Sequence, residues 1–344
     1  MPYAIAVMRA LVKDHGMLVD CIYWDTNKRT PFVPANENGI TFHPRSAFGK
    51  GSILQFIDAR SPSIIYVAGR MDRLYLQAAL RCKNKSIIVT GCDNQWTGSI
   101  KQRIAALLSL LLYKRYFDYF WVPGKRQYKF AKRMGYTDKN IIPHLLTADS
   151  AVYGKVWAES KAQKKKSYPH TLVYVGRFAE EKGLDILISA FTELKREMAN
   201  DWELTLVGSG NLPVSGNDFI TVKGFMTATE LAEEAKLWGA FCLPSRHEPW
   251  GVVIHEFAMA GLPIVCSDSA GAGDDLVQHN VNGFIFKNGD KDDLKRALTA
   301  LMSKTDDELI GMGIVSYELS KMQSPEIAAN SLINLSPSLS KGRG

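Results

Sequence analysis

Short apolar runs alternate with longer amphipathic stretches over the second half of the chain. Thr171–Gly176, Glu203–Val207, Ile220–Val222, Ala240–Leu243, Pro263–Cys266 and Gly283–Phe286 are short apolar runs set between turn-forming or polar residues, which predicts strands. Leu184–Met198 repeats apolar residues at helical spacing (Leu184, Leu187, Ile188, Phe191, Leu194). Thr229–Trp238 predicts another helix, opened by Thr227 or Thr229 as cap, with acids in its first turns. Strands and helices alternating at this spacing make parallel βαβ units in a doubly wound sheet.

The first half repeats the rhythm less regularly. Met17–Trp24, Ile64–Ala68, Ser86–Thr90 and Tyr119–Val122 predict strands, and Leu74–Arg81 and Ile100–Tyr116 predict helices. Tyr3–His15 reads as a helix closed by Gly16. A doubly wound domain normally opens with a strand and a glycine turn. Either Ala4–Met8 is a short strand, or the chain begins downstream of that strand; the second is the expectation. The polar stretch Ser160–Pro169, with Lys164–Lys166, marks a linker, and Ser324–Leu335 a last helix with Ser324 as cap and Pro325 in its first turn. The expected organisation is therefore an N-terminal domain over 1–160, a C-terminal domain over 170–322, a helix over 323–336 and a disordered tail over 337–344.

Composition narrows the class. The 344 residues are 46% hydrophobic and 22% charged, enough apolar material for two cores. The five cysteines include no C-x-x-C pair, which argues against a disulfide framework or zinc site and for a cytoplasmic protein. The longest apolar run, Ile104–Leu112, is nine residues interrupted by one serine, short of a membrane span, and no signal peptide is expected at the start of the sequence. The net charge of +7 is unevenly shared: residues 1–150 hold 22 Lys+Arg against 10 Asp+Glu, and the remainder 20 against 25. A basic first half suits an anionic partner, an anionic membrane at its periphery rather than nucleic acid, for which no basic–aromatic motif is present. Ile100–Tyr116, with Lys101, Arg103, Lys114 and Arg115, reads either as an interfacial membrane helix or as a core helix with basic ends; the core helix is the expectation, its basic ends available to such a membrane.

Two loops carry the chemistry. Pro244-Ser-Arg-His-Glu-Pro-Trp-Gly251 follows an apolar strand and enters a helix near Val252, offering backbone N–H groups to an anion at the strands' carboxyl edge. Glu248 lies in that loop and Glu256 about a turn into the helix. Val175-Gly-Arg-Phe-Ala-Glu-Glu-Lys-Gly183 likewise follows a strand, and brings Arg177 and Lys182 to a helix start. Cations are unfavourable there unless an anion joins them, so a diphosphate fits. Val207-Gly-Ser-Gly210 begins like a dinucleotide fingerprint, but Pro213 breaks it and a turn near the nucleotide is the better reading. His247 and His255 read as structural.

In order, G-R-x-x-x-x-K-G, V-G-x-G, a strand ending in G-F, and P-S-x-x-E-P-x-G-x-x-x-x-E-x-x-x-x-G-x-P resemble the donor domain of retaining GT-B glycosyltransferases of family 4, densely from Thr171 to Leu301. The resemblance implies an α/β GT-B fold of two Rossmann-like domains with an interdomain cleft, here apparently lacking its first N-terminal strand. It implies Arg177 and Lys182 on the donor phosphates with amides of Gly251, Val252 and Val253, and Glu256 on the ribose. Glu248 would contact the transferred sugar, and Phe225, Met226 and Gly208 the base. It implies no metal and no cofactor, the nucleotide-sugar being a substrate. A UDP-sugar is the first expectation and a GDP-sugar the second, with a hexose or N-acetylhexosamine passed to a saccharide or lipid-diphosphate acceptor in bacterial surface polysaccharide assembly.

On the acceptor side, the histidine that the family often places after an N-terminal strand has no match. Asp93, in Thr90-Gly-Cys-Asp-Asn-Gln-Trp96, is the nearest equivalent and the second catalytic candidate, with Trp96 beside it. Gly69-Arg-Met-Asp72 supplies Arg70 and Asp72. The family's glycine-rich first loop also has no counterpart. A donor-binding homologue without turnover and a nucleotide-sugar epimerase remain as alternatives.

Overall fold

A computed structural model of the chain describes residues 2–25 and 33–335. It contains two compact units. One takes the chain up to Thr147 and again from Pro325; the other runs from Ala148 to Ser324.

The first unit comprises α1 (Pro2–His15), β1 (Val19–Tyr23), β2 (Ile40–Pro44), α2 (Lys50–Arg60), β3 (Ile64–Val67), α3 (Arg73–Cys82), β4 (Ile87–Gly91), α4 (Ile100–Leu107), β5 (Tyr119–Trp121), α5 (Lys125–Arg133) and β6 (Ile141–Ile142). The helix expected at the start is present. It ends at Gly16, whose φ of +61° suits a residue without a side chain; the Gly16 and Met17 amides donate to the Val12 and Leu11 carbonyls. The strands form two parallel sheets: β1–β2, and β3–β4–β5–β6 in that order. Helix α1 packs on both, because Val7, Ala10 and Leu11 share a cluster with Val19 of β1 and with Ile87 and Val89 of β4.

The second unit begins with α6 (Ser150–Tyr153) and α7 (Val156–Lys166). It continues with β7 (Thr171–Val175), α8 (Leu184–Glu197), β8 (Glu203–Val207), β9 (Ile220–Lys223), α9 (Ala228–Ala235) and β10 (Ala240–Leu243). Helix α10 (Val252–Met259), β11 (Ile264–Ser267), α11 (Gly273–Leu276), β12 (Gly283–Phe286), α12 (Lys291–Met302) and α13 (Asp306–Ser320) complete it. Its six strands lie in one parallel sheet of order β12–β11–β10–β7–β8–β9. β10 and β11 are buried throughout, as strands covered on both faces by helices must be. The cap of α9 is Thr227: its hydroxyl accepts from the Glu230 amide, and the Glu230 carboxylate accepts from the Thr227 amide at 2.7 Å. After α13 the chain passes to α14 (Pro325–Ile333), where Ala328, Ala329 and Leu332 join the α1 cluster of the first unit.

Three expectations need correction. The stretch read as a linker is mostly the end of α7, and Lys164 is buried, its Nζ donating to the Trp238 carbonyl at 2.7 Å. Val156, Trp157, Ser160 and Lys164 share the inward face of α7, so only one of the three consecutive lysines turns in. The helix read as core over Ile100–Tyr116 is α4 followed by a wider π turn at Leu110–Lys114, and its most apolar stripe is exposed. The first half is also split between two sheets instead of forming one. The expected disordered tail, 337–344, falls outside the described residues.

Candidate functional site

The sheet of the second unit has a switch in direction. From β7 the chain adds β8 and then β9 on one side, then returns to the other side of β7 with β10, β11 and β12. In such sheets ligands bind where the loops after the two central strands diverge, at the carboxyl edge. Here those strands are β7 and β10, and the loops after them are the two singled out in the sequence.

The loops are fitted to each other at backbone level. Gly183, at the start of α8, has φ +68°, and a Cβ there would stand 2.1 Å from the Pro244 carbonyl oxygen. Arg246 donates through both terminal nitrogens to Asp185, at 2.7 and 2.6 Å, and its amide donates to the Glu181 carbonyl at 2.8 Å. From the far side, the Ser267 and Ser269 hydroxyls donate to the Ser245 carbonyl at 2.6 and 2.5 Å. The Gly271 and Ala272 amides donate to the Glu248 and Trp250 carbonyls. Trp250 is buried, anchoring the loop just before α10.

This frame brings Lys182 and Glu248 together, Nζ to Oε2 at 2.6 Å, with both side chains mostly buried. Ser245 Oγ donates to the same carboxylate oxygen at 3.3 Å. Arg177 is largely exposed and pairs with Glu181 at 2.7 Å. Gly251, at φ +90°, is the N-cap of α10, and Val252 and Val253 form its first turn, whose amides have no carbonyl partner within the helix. A Cβ on Gly251 would stand 3.0 Å from Glu248 Cγ, so glycine lets that side chain lie across the helix start.

Glu256 lies one turn further along α10. Burial, and after it the nearby Asp149 carboxylate, pushes its acid up to about 7, while the adjacent Tyr153 hydroxyl favours the charged form. Gly208 follows β8, its amide donating to the Lys223 carbonyl at 3.1 Å. Phe225 is exposed and Met226 half-buried in the loop after β9. Thus the proposed phosphate, sugar, ribose and base residues all lie along one edge of one sheet, after β7, β10, β8 and β9. His255 is fully buried with partners at both ring nitrogens: Nδ1 accepts from the Ala148 amide and Nε2 lies 2.9 Å from the Ser320 carbonyl, the structural role expected of it.

The acceptor-side candidates lie in the first unit, after β3 and β4. Asp93 and Asn94 are exposed, and the Asp93 carbonyl accepts from Gln127 at 3.1 Å. Trp96 is half-buried against Phe130. Arg70 stacks its guanidinium 4.2 Å from the Tyr113 ring centre. Asp72 is buried and structurally engaged: it caps α3 by accepting from the Leu74 amide at 2.7 Å, and Arg45 Nε donates to it at 2.6 Å. Sequence reasoning did not anticipate Ser245, Asp149 or Tyr153, which shape the surroundings of the two glutamates. Serine after proline and an isolated aspartate are too common to signal such a role.

No helix among the described residues is long and apolar enough to cross a membrane. Residues 155–309 match the family model described as glycosyl transferases group 1. An uncharacterised glycosyltransferase of Haemophilus influenzae is 27% identical over 140 residues, 39% of each chain. A GDP-mannose-dependent phosphatidylinositol monomannoside mannosyltransferase of Mycobacterium tuberculosis is 26% identical over 179 residues, 46% of each. The chain thus spans about two-fifths of the length of the curated relatives it matches. The structure of Anabaena HepE in complex with UDP superposes with a TM-score of 0.69 at 14% identity, covering 98% of this chain and 95% of that one. The chain has the GT-B fold and carries, over residues 155–309, a group 1 glycosyltransferase domain.

Proposed function

We propose that this protein transfers a hexose or N-acetylhexosamine, with retention of configuration and without a metal, from a nucleoside-diphosphate sugar to a saccharide or lipid-linked acceptor in surface polysaccharide assembly. The observation that carries the reading is the Lys182–Glu248 pair at the switch point, between the starts of α8 and α10. Lys182, Arg177 and the amides from Gly251 to Val253 would meet the diphosphate and stabilise its charge as it leaves. Glu248 would accept from hydroxyls of the transferred sugar and Glu256 from those of the ribose, with Gly208, Phe225 and Met226 around the base. HepE in complex with UDP supports a uridine carrier, and the mannosyltransferase's GDP-mannose keeps guanosine as the second choice. Asp93, exposed after β4, is the residue we place on the acceptor side.

Calorimetric titration of the purified chain with UDP, GDP, ADP and NAD, without metal, tests the donor site. One nucleoside diphosphate should bind, and Lys182→Ala and Glu256→Ala should each weaken it by about tenfold or more, the loss of one charge-assisted hydrogen bond. Preferential binding of NAD, or affinity indifferent to both substitutions, would overturn the assignment.

A further inference from the structure

Helix α4 and the π turn after it are apolar on the wrong side for a helix that only serves a core. Ile100, Ile104, Leu107 and Leu111 recur at i, i+4, i+7 and i+11, one stripe along the helix, and are 77%, 50%, 84% and 61% exposed. Leu108 and Leu110 flank the stripe and are also exposed. The opposite face, which packs on the first unit, consists of Ala105, Ala106, Ser109, Leu112 and Tyr113 and is no more aliphatic than the exposed one. An ordinary surface helix has a polar exposed face.

Charge around this stripe is predominantly positive. From Asn94 to Arg133 the sequence has nine Lys+Arg and one acid, Asp118. Asp118 is already engaged, accepting from the Ile88 amide at 2.9 Å and facing Lys83. Lys101, Arg103 and Arg115, beside the stripe, are exposed, as are Lys125, Lys129 and Arg133 of α5.

We propose that this face of α4 is a docking surface for an anionic lipid bilayer, the leucines and isoleucines entering the headgroup boundary while the surrounding cations meet lipid phosphates. The combination of an exposed aliphatic stripe and a surround in which cations far outnumber acids suits a lipid surface. A protein partner of mixed charge would leave most of these cations unmatched. The inference rests on the first unit alone and stands whether or not the donor assignment does.

The test is co-sedimentation of the full chain with phosphatidylcholine vesicles and with the same vesicles containing about one-third phosphatidylglycerol. Binding to the anionic vesicles should be at least about tenfold tighter, and should weaken as salt rises. The double variant Leu107→Glu/Leu111→Glu should lose about a hundredfold in vesicle affinity. Both positions are exposed, so the variant should keep the wild-type thermal transition, which separates lost docking from lost folding. Equal binding to neutral and anionic vesicles, or a double variant that binds like wild type, overturns the proposal. So does concentration-dependent self-association by analytical ultracentrifugation that the double variant abolishes, because that assigns the stripe to a second copy of the chain. Vesicle binding that survives alongside failed nucleotide binding would sink the donor assignment and leave this one intact.

Discussion

The four-stranded sheet of the first unit and the six-stranded sheet of the second use the charged residues at their carboxyl edges in opposite ways. In the first unit, Asp72 after β3 is neutralised by Arg45 and by the amide end of α3, and Arg70 lies on Tyr113. These groups hold loops in place. In the second unit, Arg246 and Asp185 perform that holding task, with the serines on the Ser245 carbonyl. Lys182 and Glu248 are left meeting each other at the switch point, and Glu256 sits half-buried near another carboxylate. An edge whose scaffolding is supplied by neighbours can keep charges for a ligand at some cost in stability. The difference is therefore one of division of labour, and it can be tested by substituting a scaffold residue, a capping residue and a reserved residue in turn.

The largest effect should come from Gly183→Ala. The φ of +68° disfavours any side chain, and the new Cβ would meet the Pro244 carbonyl at 2.1 Å, so the loops after β7 and β10 must separate. A loss of about 3–4 kcal/mol in unfolding free energy is expected, together with loss of nucleoside-diphosphate binding. Denaturant melts and calorimetry check both. Nucleotide affinity unchanged in a folded Gly183→Ala would show that the close fit of these loops does not build the site.

Asp72→Ala should act differently. It removes a helix cap and leaves Arg45 without its partner in a partly buried position, at a cost of about 2 kcal/mol. Nucleotide affinity should stay within about twofold of wild type, as for independent sites. A specific loss of transfer, with stability kept, would instead make Asp72 part of the acceptor machinery.

The same contrast explains what was legible in the sequence. Unit two could be read nearly element by element because its strands are continuous apolar runs bounded by glycine and proline, and its loops have fixed motif spacing. Gly283–Phe286 and Glu203–Val207 match the observed strands end to end. In the first unit, α2 is hard to detect because its large apolar residues, Ile53, Leu54, Phe56 and Ile57, span little more than one turn, too short to establish a helical period. Strand β6 is two residues long, too short to carry a period. The burial of Lys164 is hidden in the sequence because a buried lysine resembles its exposed neighbours in a run of three; only the helical phase of Val156, Trp157 and Ser160 distinguishes it. The outward direction of the α4 stripe is not legible, because apolar periodicity reports that a face is apolar without saying which way it points. Among the site residues, the edge of the second sheet does assemble Arg177, Lys182, Gly208, Phe225, Glu248, Gly251 and Glu256. Their spacing was informative because each follows a strand of the same sheet.

The smallest effect, and the one that bears most directly on reserved charge, is expected from Glu256→Gln. With its acid raised to about 7 by burial and by Asp149, the folded chain holds a proton on Glu256 that the unfolded chain releases near its ordinary value. Stability from this group therefore falls as pH rises between about 4 and 7, and the deficit is complete above that window. Fully converted, the displacement would amount to roughly 3 kcal/mol. Glu256 retains some solvent contact, and screening reduces a realistic gain to about 1 kcal/mol. Glu256→Gln should thus melt a few degrees higher than wild type at pH 8 and together with it near pH 4. Its nucleoside-diphosphate affinity should fall by about tenfold, because the amide accepts ribose hydroxyls less well than a carboxylate does. If the variant instead melts lower at pH 8, the carboxylate is holding the fold together, and the second sheet's edge uses its charges as the first does.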